Sequence, residues 1–173
     1  MTPTTATSIL ADAFGRVHEA LPRVLSGLER DALLWRPDPD ANPIGWLAWH
    51  LLRVQDDHVA GVADAEQVYT AQGFAERFAL PYPPEAIGYG HTSDEVGAFE
   101  LDGPGLLLDY SDAVHAMTLD VVGSLDDAGY ARIVDERWNP PVTAATRLVS
   151  VIGDITQHLG QIGYVLGMYQ RRP

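Results

Sequence analysis

The sequence predicts an all-α fold, a four-helix bundle with a long crossover between its second and third helices, formed by residues 1–173 as one domain. Three observations lead there. Apolar residues recur at spacings of three and four in four long stretches, the pattern of amphipathic helices. A segment rich in proline, glycine and aromatic residues separates the second stretch from the third. No stretch alternates with period two for long enough to make a sheet.

Ile9, Leu10, Phe14, Val17, Leu21, Val24, Leu25 and Leu28 form the stripe of the first helix, expected over Thr5 to Glu29. Pro22 lies inside it and removes one backbone donor, so a kink or break is expected there. Asn42-Pro43 reads as an N-cap followed by proline at the first helical position, where a missing N–H costs nothing. The second helix then runs to about Ala63, with Leu47, Leu51 and Val54 inward, His50 on the same face, and Trp46 and Trp49 flanking. Between Asp64 and Gly103, residues such as Pro81, Pro83, Pro84, Gly88 and Gly90 interrupt any period. Phe74, Phe78, Tyr82 and Tyr89 make that segment a structured excursion, and connections of this length in small domains are usually functional lids or crossovers. Within it Thr92-x-x-Glu95 reads as a capping box, predicting a short helix from Ser93 to Phe99. The third helix is expected over Gly105 to Leu125, with Leu107, Tyr110, Val114, Met117, Val121 and Leu125 inward. The fourth is expected over Thr143 to Met168, carrying Leu148, Val151, Ile152, Ile155, Leu159, Ile162, Val165 and Leu166.

Composition narrows the function. Net charge is −13, from 24 acidic residues and 11 basic ones that are all Arg, scattered from Arg16 to Arg172. Nucleic acid and anionic membranes are therefore disfavoured as partners. Met1 to Gly15 has neither a basic region nor an apolar core of the signal-peptide kind, and no apolar run reaches the roughly 18 residues of a membrane span, so a cytoplasmic location is expected. Cysteine is absent, which removes disulfides, thiolate-ligated metals and any thiol nucleophile of the chain's own.

Six histidines remain as carriers of chemistry. Asp154-x-x-x-His158 places a carboxylate and an imidazole on one helical face, with Cβ atoms about 5–6 Å apart and apolar residues on both sides. A buried carboxylate is costly unless paired or metal-bound. His50, amid Leu47, Leu51 and Val54, is the candidate third ligand. His58 lies eight residues further on, a rise of about 12 Å, and follows Asp56-Asp57 as a rim residue. Asp112-x-x-His115 has no matching second motif, so a dinuclear carboxylate site is not supported. His50, Asp154 and His158 would give two imidazoles and one carboxylate around a divalent metal, zinc first with nickel or iron as alternatives, and leave positions open for water or substrate. An open cation favours the thiolate of a bound thiol, and that thiol would have to come from a cofactor.

Gly45-Trp46-Leu47-Ala48-Trp49-His50-Leu51 with Arg53 to His58, then Ile87-Gly88-Tyr89-Gly90-His91-Thr92, and Asp154 through Gln161 form three distinctive segments. Together they resemble the DinB-like superfamily of four-helix metal proteins, particularly its mycothiol-transferase branch. The resemblance implies a bundle, often a homodimer, with a divalent metal between the second and fourth helices. Its helix-two histidine maps onto His50 and its last helix-four histidine onto His158. At the remaining ligand position many members carry His, the maleylpyruvate isomerase type carries Glu, and this chain has Asp154. The function implied is a metal-dependent S-transferase that conjugates a low-molecular-weight thiol such as mycothiol to an electrophilic small molecule. Tyr89 and His91 are candidates for contacting substrate or cofactor. Two other readings compete: a non-catalytic metal or small-ligand binding stress protein of the same fold, and an iron oxygenase site.

Overall fold

The computed structural model describes residues 5–172; Met1 to Thr4, part of the stretch read for a leader, and Pro173 lie outside the described residues. Four long helices dominate: α1 (Ala6–Leu25), α3 (Ile44–Ala63), α7 (Gly105–Ser124) and α9 (Ala144–Gln170). Between them run the short helices α2 (Arg30–Leu34), α4 (Val68–Ala71), α5 (Phe74–Phe78), α6 (Ser93–Gly97) and α8 (Asp127–Ala131), with the strands β1 (Ile133–Asp135) and β2 (Val142–Thr143). Both α1 and α3 pack on α7 and on α9, which sets α1 diagonally across the bundle from α3. Arg53 meets Tyr110 and Gln55 meets Thr118, so α3 and α7 run in the same direction, and the 64–104 segment is the crossover that makes this possible. Among the described residues no helix is long and apolar enough to cross a membrane.

The differences from expectation lie at element ends. Helix α1 passes through Pro22 and stops at Leu25; the chain then turns at Gly27, whose φ of +78° suits a residue without a Cβ. Pro43, not Asn42, caps α3: its carbonyl accepts the Leu47 amide, and no side chain caps the end. Thr5, Thr92 and Thr143 do cap α1, α6 and α9 through their hydroxyls, and the Thr92–Glu95 capping box closes as expected. The two-stranded antiparallel sheet of β1 and β2 was not expected, because strands of three and two residues are too short to show a period.

Helix α3 is the central element. Sixteen of its twenty residues are buried, His50, Arg53, Gln55 and Asp56 among them, so it is enclosed nearly all round rather than along one stripe. Leu47, Trp49, Leu51, Leu52 and Val59 join Phe14 and Leu21 of α1, Leu107 and Val114 of α7, and Leu148, Ile155 and Ile162 of α9 in one core. On α9, by contrast, Ile152, Leu159 and Leu166 of the expected stripe are only partly buried. Polar groups placed on α3 are therefore enclosed by protein, whereas those on α9 sit at its margin.

Candidate metal centre

His50 projects from α3 and Asp154 and His158 from α9, and one ligand atom from each lies within 4.8 Å of the others. Among the described residues this is the one group of three metal-ligating side chains so placed. The two imidazole rings stand nearly perpendicular, at 83°, with centroids 4.6 Å apart. His158 Nε2 is 3.7 Å from Asp154 Oδ1, longer than a hydrogen bond. That oxygen is shut off from water and has no hydrogen-bond partner, an expensive state for a carboxylate oxygen and one that a cation would relieve.

Both imidazoles are held by the nitrogen that faces away from this space. His50 Nδ1 donates to the Ile87 carbonyl at 2.5 Å, and His158 Nδ1 donates to Gln161 Oε1 at 2.7 Å. Each contact fixes the tautomer and leaves the Nε2 lone pair free, the outer-shell arrangement usual for histidine ligands. Trp46 stacks on His50 at 4.8 Å and 13°, which sets the ring plane. Burial pushes the His50 imidazole below its ordinary range, with the positive field of His158 and His91 acting the same way and the Ile87 carbonyl and Asp154 opposing. At neutral pH His50 is the uncharged form that ligates metals. The residues present thus fit a divalent cation.

Gly88 closes the far side of His50. Its φ is +89°, and a Cβ there would lie 2.9 Å from both His50 Nδ1 and Trp46 and 3.1 Å from Trp49. Only glycine lets the loop approach this closely. Tyr89 beside it is 89 % exposed. His91 packs among Trp46, Trp49 and Tyr82, and its Nδ1 accepts from Trp46 Nε1 at 3.4 Å.

A cavity of about 500 Å³ runs along the neighbours of His50 and His158 on α3 and α9, and none of the three candidate ligands lines it. Leu47, one turn before His50, lines it with Asp40, Asn42, Gln157, Gly160, Gln161, Tyr164 and Val165; Tyr89 and His91 do not. Gln161 thus belongs both to the cavity and to the support of His158. The spacing of Gln161, one turn after His158 on the same face, was visible in the sequence; the main-chain carbonyl of Ile87 was not.

The other histidines are placed elsewhere. His58 is half-buried, with Nδ1 3.1 Å from Asp57, and lines a separate cavity with Arg147 and Asp135. His115 stacks on His18 at 4.1 Å, and His18 Nε2 meets Asp112 at 2.7 Å, so this cluster joins α7 to α1.

The DinB superfamily profile matches residues 13–162, and the chain belongs to that superfamily. A crystal structure of a conserved protein from Enterococcus faecalis is similar to it, with a TM-score of 0.88 at 28 % identity, covering 95 % of this chain and 96 % of that one. No curated protein matches the chain.

Proposed function

We propose that the protein is a metal-dependent transferase that joins a low-molecular-weight thiol to an electrophilic small molecule. The observation that carries the reading is the convergence of His50, His158 and Asp154 within 4.8 Å, with an Asp154 oxygen buried and unpartnered. His50 and His158 would hold a divalent ion, zinc first and nickel or iron as alternatives, through Nε2, and Asp154 through Oδ1. When bound, such an ion lowers the pKa of a thiol and so supplies a nucleophile at neutral pH. The chain has no cysteine, so the sulfur is brought by the thiol substrate.

The cavity lined by the neighbours of His50 and His158 suits an uncharged, hydroxyl-rich thiol of the mycothiol kind. Asn42, Gln157 and Gln161 offer amide donors and acceptors to hydroxyls, Leu47 and Val165 add apolar lining, and Asp40 is the one charged group in the lining. A thiol bearing carboxylates would meet no cation there and would be repelled by Asp40. In the reaction a carbon–sulfur bond forms, the leaving group departs with its electron pair, and the thiol proton passes to water.

The test is depletion of a chromogenic aryl halide by the zinc-loaded protein with mycothiol, with a dicarboxylate thiol, and with no thiol. Turnover with mycothiol that disappears in His50→Ala supports the reading. Metal retention without thiol-dependent turnover would instead favour a non-catalytic binding protein of the same fold.

A further inference from the structure

We propose that Arg53 is a positioning residue for His50, acting through the main chain of residues 84–87; the proposal rests on the reading of His50 as a metal ligand. Arg53 lies one turn after His50 on α3 and is fully buried. Its Nη2 donates to the Pro84 carbonyl at 3.0 Å and its Nε to the Ala86 carbonyl at 3.2 Å. The next carbonyl in the chain, that of Ile87, is the one that accepts His50 Nδ1–H.

This stretch of the crossover has no helix or strand ladder to set its carbonyls. Arg53 takes the place of one. Two carbonyls gripped by a planar guanidinium fix the path of the chain as it enters Ile87 and Gly88, the two residues that press on the His50 ring. An apolar residue would fill the same interior space without the desolvation of a charge, but it could not hold two carbonyls.

The charge is balanced from the opposite side. Asp56 Oδ2 lies 3.5 Å from Arg53 Nη1, and the Tyr110 hydroxyl both accepts from Arg53 at 3.3 Å and donates to Asp56 at 2.6 Å. The Tyr69 ring packs under the guanidinium at 4.1 Å. Asp56 also accepts the amides of Val68 and Tyr69 at 2.8 Å each, which ties the start of the crossover to the same point. Arg53 thus connects a rigid anchor shared by α3, α4 and α7 to the loop that orients His50.

Two readouts test this: zinc affinity by chelator competition, and the tautomer of His50 from its ring nitrogen shifts in the metal-free protein. The double variant Arg53→Met/Asp56→Asn removes both charges together, so neither is stranded in the interior. It is expected to weaken zinc binding by about 10- to 100-fold and to change His50 from a single Nδ1–H tautomer to a mixture. Tyr110→Phe is expected to move both readouts the same way by less, and it decides the matter should the double variant not fold. Val122→Ala, in the core on α7 and away from this network, lowers the melting temperature and should move neither. Unchanged affinity and tautomer in the folded double variant, or in Tyr110→Phe where the double variant does not fold, would overturn the proposal. If the wild-type protein takes up no zinc, the ligand reading fails, and the tautomer readout still decides whether Arg53 orients His50.

Discussion

His50 and His158 turn their Nε2 atoms toward the same space, yet they are held by different kinds of structure. His50 sits on a helix buried on nearly every side, stacked on Trp46 and bonded to a main-chain carbonyl that a buried arginine helps to place. His158 sits at the margin of α9, and its support is the side chain of Gln161, which a ligand in the cavity can touch. Damage on the first side should reach both stability and metal binding, because the same contacts serve packing and orientation. Damage on the second should reach metal binding and thiol selection alone.

The largest effect is expected from His50→Ala, which removes a proposed ligand outright. Zinc retention measured after dialysis should fall by more than the roughly hundredfold that outer-shell changes produce, and thiol-dependent turnover should vanish. Gly88→Ala comes next. It forces a side chain into the space 2.9 Å from His50 Nδ1 and into a left-handed conformation, so it should weaken zinc binding about 10- to 100-fold and destabilise the fold by about 1 kcal/mol or more. Gln161→Leu should weaken zinc about tenfold and raise KM for the thiol, while denaturation shows a stability change within about 0.5 kcal/mol, as for an exposed side chain. Equal destabilisation by Gly88→Ala and Gln161→Leu would erase the contrast between the two sides.

The smallest effect is pH-dependent. Burial depresses the His50 pKa in the folded protein, so the unfolded chain binds more protons between that value and about 6.5. The stability associated with neutral His50 is therefore complete above about pH 6.5 and is lost as pH falls through the folded-state pKa. His115 is depressed as well, first by burial, and contributes with the same sign. Urea titrations of the metal-free protein from pH 7.5 to 5 should show the loss, and His50→Gln should flatten part of it.

How far the site could be read in the sequence follows from which groups form it. That His50, Asp154 and His158 come together was legible because imidazoles and a carboxylate inside apolar stripes, two of them four residues apart, are unusual enough to notice. The bundle was legible from the same stripes. The Ile87 carbonyl was not, since every residue has one, and only the path of the crossover brings this one to His50. Asp56, near the expected rim residue His58, is fully buried; its partners are amides 12 and 13 residues later and a tyrosine 54 residues later, contacts that no local pattern encodes. The cap of α3 falls at Pro43, where the backbone is extended and the carbonyl accepts the first helical amide, and Asn42 lines the cavity.

His50, Asp154 and His158 must together hold an ion for the proposed chemistry to occur. Crystals of the protein grown with zinc, with diffraction recorded on both sides of the zinc absorption edge, test this directly. An anomalous peak is expected about 2.0–2.2 Å from His50 Nε2, His158 Nε2 and an Asp154 oxygen, absent in crystals of His50→Ala. No peak between α3 and α9 in the wild-type protein, or a peak held by other residues, would contradict this reading.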